Sequence, residues 1–230
     1  MSPLGPGEGA VLFDMDGTLL DLPLDIDRMR REVEEVLRAA GQGGPARPIL
    51  AAIERAAAAL SAARGEPAGA ALRARALAAI DRAELDAAPR AIARPGARDL
   101  ADDLAARRVP LGVVTDNGRA CLPVALGAAG LDHIAWHPIT RDDVPRTKPA
   151  PDGVVAAARA LSAGGTIWMI GDSPRDVGAA RAAASLLGPA YRVRTIAVLG
   201  GHAPEEAVRA AAPDHVVSDP RAIAALLAAR

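Results

Sequence analysis

The 230 residues predict a doubly wound α/β fold, a parallel sheet covered by helices on both faces, with a helical segment inserted near its start. Three observations carry this. Short, continuously apolar runs recur along the chain, helical patterns alternate with them, and one long interval after the first run holds helical patterns alone. Runs that are apolar at every position suit strands buried on both faces, as in a parallel sheet between helix layers; a half-exposed antiparallel strand would alternate instead.

The runs are VLFD (11–14), LGVVT (111–115), TIWMI (166–170) and TIAVL (195–199), with a weaker one at HVV (215–217). Helical patterns cover Ala97–Arg107, Arg119–Ala129, Gly153–Leu161, Asp176–Ala183 and Pro220–Ala228. Such alternation is the mark of the α/β class. From about Leu22 to Ile92 no convincing strand occurs, only three helical stretches rich in Ala, Leu, Arg and Glu. Pro23 punctuates one edge of this interval and Pro95–Gly96 the other, so the insertion leaves and rejoins the core at nearly the same place, as a hinged lid would. The expected domains are therefore a core, 1–21 and 93–230, and a helical cap, 22–92. The loop AGQGGPARP (40–48) is read as a helix-to-helix connection.

Composition bounds the function. Lys and Arg number 27 against 28 Asp and Glu, for a net charge of −1, and the two signs are mixed throughout. That balance argues against nucleic acid or an anionic membrane surface as a partner and favours a small diffusible ligand. No stretch reaches the apolar length of a membrane span, and MSPLGPGEGA lacks the basic start and apolar run of a targeting signal, so a cytosolic protein, monomer or homodimer, is expected. The single cysteine excludes an internal disulfide, and Cys121 reads as a small buried hydrophobe. His133, His137, His202 and His215 show no metal-ligand spacing and are assigned to surface or packing roles.

The chemistry gathers at the strand ends, where ligands bind in open α/β sheets. The first run ends in Asp14, followed by Met15, Asp16, Gly17 and Thr18. A carboxylate there can be a nucleophile, a metal ligand or both; a turn or helix cap explains one Asp and the glycine but not the second Asp. Thr115 ends the second run, and Asp116 and Asn117 follow; the hydroxyl and successive N–H groups suit phosphate oxygens, although the same residues also cap helices for structural reasons. Lys148 precedes Pro149, which favours an extended conformation that could project the ammonium into a site. In GDSPRD, Asp172 and Asp176 are one helical turn apart and can approach one hard cation directly or through its waters, while a capping role competes for Asp176. Each feature alone has a bland alternative. Their succession, Asp, Thr, Lys, Asp along the strand ends, is improbable as four accidents.

Taken together, FDMDGTLLD, the helical lid, RPGARDLADDLAARRVPLGVVTDNG, VPRTKPAPDG and GDSPRDVGAARAA make the chain resemble the haloacid dehalogenase-like superfamily, in its phosphatase branch related to phosphoglycolate phosphatases. The resemblance implies a Rossmann-like α/β core with an inserted α-helical cap, and an enzyme acting on a small phosphorylated metabolite with Mg2+ as cofactor. It implies that Asp14 is the nucleophile, Asp16 the general acid and base, and Lys148 the organising cation that keeps Asp14 ionised. Thr115, with the N–H groups of Asp116 and Asn117, would hold the phosphate; the metal would take Asp14, the Asp16 carbonyl, Asp172 and Asp176. A second Asp favours phosphoryl transfer over dehalogenation, since an alkoxide leaving group needs a proton. A β-phosphoglucomutase-like mutase and a non-catalytic ligand-binding protein of the same fold stand as alternatives. Two departures from the family pattern are the carboxylate of Asp116, where a neutral residue is usual, and the extra stretch ASLLGPAYRV (184–193).

Overall fold

The structure, a computed structural model, describes residues 9–228. All but the last two residues of the N-terminal stretch read above for a targeting signal lie outside that range. In chain order the elements are β1 (Gly9–Phe13), β2 (Leu20–Asp21), α1 (Ile26–Ala39), α2 (Ile49–Arg64), α3 (Glu66–Ala87), β3 (Ile92–Ala93), α4 (Ala97–Ala106), β4 (Leu111–Val114) and α5 (Cys121–Ala128). There follow β5 (His137–Ile139), α6 (Asp152–Leu161), β6 (Gly165–Gly171), α7 (Pro174–Leu187), β7 (Tyr191–Val198), α8 (Glu205–Ala210), β8 (His215–Val217) and α9 (Arg221–Ala228).

Six strands form one sheet in the order β5-β4-β1-β6-β7-β8, and every pairing in it is parallel. The chain steps outward from β1 to β4 and β5, returns to β6 on the other side of β1, and steps outward again. The direction of winding thus reverses beside β1, and the carboxyl ends of β1 and β6 border the crevice such a reversal opens. The α/β class expected from the continuous apolar runs is the class observed, because β1, β4 and most of β6 are buried at every position. Leu12, Ile167 and Met169 from the strands pack with Val154, Ala157, Ala180 and Ala183 from α6 and α7. Alanine on those helices lets them lie close to the sheet, which is how a chain poor in aromatic residues fills its core.

The chain divides into two compact units, residues 1–22 with 89–230 and residues 23–88. The smaller unit is α1, α2 and α3 around its own core of Met29, Val33, Leu37, Ile53, Leu60, Leu72 and Ile80. Two successive spacings of four on α1 put Met29, Val33 and Leu37 on one stripe. The loop between α1 and α2 is tied down, as Glu34 accepts the N–H of Ala46 at 2.9 Å.

Three differences from the sequence reading have physical reasons. β5 was not foreseen: it is three residues long and contains Pro138, yet it forms a sheet edge, where a strand tolerates proline. The two-residue strands β2 and β3, too short for any periodicity, pair antiparallel through Leu20 with Ala93 and Asp21 with Ile92. The extra stretch 184–193 lengthens two regular elements: α7 runs to Leu187 and β7 begins at Tyr191, with Tyr191 OH donating to the Ser162 carbonyl at 2.8 Å.

Candidate active site

The sheet delivers the pieces. Asp14 continues the ladder one residue beyond β1, its N–H donating to Ile170 O at 2.8 Å, which sets it beside Asp172 at the end of neighbouring β6. Thr115 likewise extends β4 through Ile139 O at 2.9 Å. Lys148 lies in the connection from β5 to α6, nine residues past Ile139, and reaches the others by its side chain. Its Nζ is 2.7 Å from Asp14 Oδ1 and 2.6 Å from Asp176 Oδ1. A pocket of about 350 Å³ opens over Asp14, Asp16, Thr115, Lys148, Asp172 and His202.

Asp14 Oδ1 also accepts the Met15 N–H at 2.8 Å, so both contacts fall on one oxygen. Asp16 is arranged alike: its Oδ1 accepts the Leu22 N–H at 2.8 Å and meets His202 Nε2 at 2.9 Å. Gly17 turns the chain between these residues and Thr18 with φ +83°, and a Cβ there would stand 2.4 Å from Asp172 Oδ2. That position requires glycine for conformation and for space.

Thr115 donates its hydroxyl to Asn117 Oδ1 at 2.8 Å and accepts the Asn117 N–H at 3.2 Å. The Asn117 N–H expected to face a phosphate is therefore spent within the loop. Asp116 turns its carboxylate to Arg175 at 2.7 Å and to the Lys148 N–H at 3.1 Å. Asp176 fulfils the capping role as well as the electrostatic one: its Oδ2 accepts the N–H and hydroxyl of Ser173 at 3.0 and 2.6 Å at the start of α7, while Oδ1 holds Lys148. With both oxygens committed, Asp176 would act on a cation through its field and through water.

One ammonium serves a crowded set of carboxylates. Burial raises Asp14 well above the ordinary carboxylate value; Lys148 opposes this, but Asp176 and Asp172 add to it. The expectation that Lys148 keeps Asp14 ionised is thus only part of the balance. Burial by itself would lower Lys148, but Asp14, Asp176 and Asp116 outweigh it and raise its pKa, so the ammonium stays charged. Burial also raises Asp172, against the N–H of His202. Asp14, Asp172 and Asp176 present oxygen atoms within 4.8 Å of one another. An all-oxygen anionic set of this kind, short of positive charge, fits a hard divalent cation.

A family model described as haloacid dehalogenase-like hydrolase matches residues 9–184, well over half of the chain. The chain belongs to that family. Among solved structures, a hydrolase from Pseudomonas syringae is 25% identical, with a TM-score of 0.64 over 93% of this chain and 94% of that one. A predicted phosphoglycolate phosphatase from Haemophilus somnus 129PT, 17% identical, superimposes with a TM-score of 0.61 over 95% and 97% of the two chains and shows the shared fold. The validoxylamine A 7′-phosphate phosphatase of Streptomyces hygroscopicus subsp. limoneus is 42% identical over 74 residues, 32% of this chain and 35% of that protein. The matched stretch thus spans about a third of the relative's length.

The structure adds two residues to the set that the haloacid dehalogenase-like motifs single out. His202, assigned above to the surface or to packing, enters the site in the loop after β7: its ring meets Asp16, and its N–H donates to Asp172 Oδ2 at 2.6 Å. The hydrogen bond to Asp16, opposed by burial and aided by the charges of Asp16 and Asp172, pushes the His202 imidazole up to about 9. Arg175 is the second, beside Asp116. The pair Gly200–Gly201 before His202 is the sequence signal for the first, since a Cβ on Gly201 would fall 2.2 Å from Asp172 Oδ2. No helix among the described residues is long and apolar enough to cross a membrane.

Proposed function

We propose that the protein is a Mg2+-dependent phosphatase that hydrolyses a small phosphate monoester through an aspartyl-phosphate on Asp14, with residues 23–88 as its cap. The observation that carries this reading is the convergence of Asp14, Asp16, Lys148 and Asp172 on one pocket at the carboxyl ends of β1 and β6. Asp14, the Asp16 carbonyl and Asp172 would hold the cation, with Asp176 behind them. When bound, the cation neutralises charge between the Asp14 carboxylate and the phosphate oxygens.

The residues divide the remaining work. Asp14 attacks phosphorus through Oδ2, the oxygen that Lys148 does not engage, while the bond from phosphorus to the ester oxygen breaks. Asp16, protonated on Oδ2, gives that proton to the departing alkoxide; Oδ1 is already an acceptor for Leu22 and His202. In the second half Asp16 takes a proton from water, the water oxygen attacks phosphorus, and the bond to Asp14 opens to release inorganic phosphate. The Thr115 hydroxyl, once turned away from Asn117 Oδ1, would hold the equatorial oxygens with the Asp116 N–H and Lys148, because phosphoryl transfer depends on positioning and charge stabilisation. The choice of leaving group is assigned to the cap, residues 23–88.

A panel of phosphate monoesters with and without Mg2+ tests the reading. It should include 2-phosphoglycolate, hexose phosphates and validoxylamine A 7′-phosphate, the last because of the relative's named activity, with Asp14→Asn as control. Phosphate release that needs both Mg2+ and Asp14 is expected. Release from no ester, or conversion of β-glucose 1-phosphate to glucose 6-phosphate faster than phosphate appears, overturns it.

A further inference from the structure

We propose that Arg175 and Asp116 form a clamp on the backbone of Lys148, making Arg175 a positioning residue for the ammonium that serves Asp14. The effect on turnover rests on the phosphatase reading; the clamp itself does not.

Lys148 poses a positioning problem. Its Nζ must meet Asp14 and Asp176 at hydrogen-bonding distance, yet it lies in an irregular connection where no strand ladder holds its main chain. Asp116 and Arg175 supply that hold. The Lys148 N–H donates to Asp116 Oδ1 at 3.1 Å. The Lys148 carbonyl accepts from Arg175 Nε at 3.0 Å and from Arg175 Nη2. Arg175 Nη2 pairs in turn with Asp116 Oδ2 at 2.7 Å, closing a ring around the lysine's two backbone polar groups. A guanidinium can bond a carbonyl and a carboxylate at once because its donors form a rigid planar fork; a lysine ammonium cannot reproduce that geometry.

Both members of the pair are themselves fixed. Arg141 is buried; its Nη1 donates to the Asp116 carbonyl at 3.0 Å and its N–H to the Asn117 carbonyl at 3.2 Å, which braces the loop carrying Asp116. Arg175 and Asp176 are adjacent in the first turn of α7, so one helical turn grips Lys148 at both ends, the carbonyl through Arg175 and Nζ through Asp176. The ring also explains the unusual carboxylate at position 116. It is the acceptor of the clamp, and Arg175 offsets its charge beside a site built for an anion.

The test uses the full chain and its variants Arg175→Gln, Asp116→Asn, the double variant and Arg175→Lys, with Arg181→Gln, elsewhere on α7, as control. Amide hydrogen exchange at Lys148 is read by NMR, kcat and KM with p-nitrophenyl phosphate and Mg2+, and folding by thermal melting. Each single substitution should speed exchange at Lys148 and lower kcat by about 10- to 100-fold with KM little changed. The double variant should be no worse than the poorer single, since one ring is lost in every case. Arg175→Lys should recover only part of kcat, and Arg181→Gln should change neither readout. Unaltered exchange at Lys148, losses that multiply in the double variant, or a raised KM with kcat intact overturns the clamp; the last result would make Arg175 a substrate ligand. If the unsubstituted protein releases no phosphate from any ester, the phosphatase reading falls, and exchange at Lys148 still decides the clamp.

Discussion

Asp16 shows how much one side chain depends on its fixings. Leu22 and His202 both hold Oδ1 and so fix the carboxyl for the acid–base role proposed for it; losing one of them would let the carboxyl rotate. His202→Ala should therefore lower kcat about 10-fold or more with KM nearly unchanged, read by steady-state kinetics on the best substrate of the panel; His202→Asn, which can still donate, should lose less. A second residue-level expectation concerns Asp172, hemmed in by glycines. Gly201→Ala inserts a methyl group 2.2 Å from Asp172 Oδ2 and should weaken Mg2+ binding by about 10-fold or more in calorimetric titration, whatever the substrate. Asp14 and Thr115 could be picked out along the chain because they end apolar runs, Asp16 because it is a second carboxylate just before a glycine turn, and Lys148 because it precedes Pro149. Arg175 could not, and His202 was marked only by the glycine pair before it, whose meaning the fold supplies. Each sits in an ordinary local pattern, a loop and a helix start, and gains its partner only when the sheet order brings it beside Asp16 or Asp116.

At the scale of elements, the strands that read clearly were those sandwiched by helices, since burial on both faces leaves an unbroken apolar run. β5, β2 and β3 escaped because short edge or isolated pairs need no such run, and their stability comes from what they pair with. The edge beyond β7 is secured by polar bonds instead. Asp214, just before β8, accepts the Thr195 N–H and hydroxyl at 2.9 and 2.8 Å and Arg194 Nη1 at 2.6 Å, and its own N–H donates back to Thr195 Oγ1 at 2.9 Å. Burial would raise the Asp214 pKa, but the bonds from Arg194 and Thr195 outweigh it and hold the group below its ordinary 3.8. A depressed folded-state pKa means stability that is present above 3.8 and lost as pH falls through the folded value. Asp214→Asn should therefore cost about 1 kcal/mol at neutral pH, discounted for partial exposure. Its melting temperature should converge on that of the parent chain as acid is added below 3.8.

For the whole molecule, the two-unit division has a direct test. The helical unit has an apolar core of its own, and the core unit's sheet draws no strand from it. Replacing residues 23–88 with a short glycine-containing turn between Leu22 and Pro89 should leave a cooperatively folding core, seen as retained far-UV circular dichroism and a single melting transition. Hydrolysis of p-nitrophenyl phosphate should survive in part, while discrimination among the larger esters is lost. Within the helical unit, Ile53→Ala should destabilise by roughly 2–5 kcal/mol, as truncation of a fully buried branched side chain does.

The small antiparallel pair of β2 and β3 bears on how such a chain comes together. Val11 must find Leu111 to join β1 to β4, across a long stretch of chain that includes all three helices of the inserted unit. β2 and β3, with Arg94 bonded to Asp21 and to the Leu199 carbonyl, pinch the two ends of that unit together. An insertion that has already folded behind this pinch counts as a short link, not a long one. It cuts the loop to be closed by about two thirds, which removes about 1 kcal/mol of closure entropy from the pairing of β1 with β4. The inserted unit can thus vary in length or sequence with little effect on the search that assembles the six-stranded sheet.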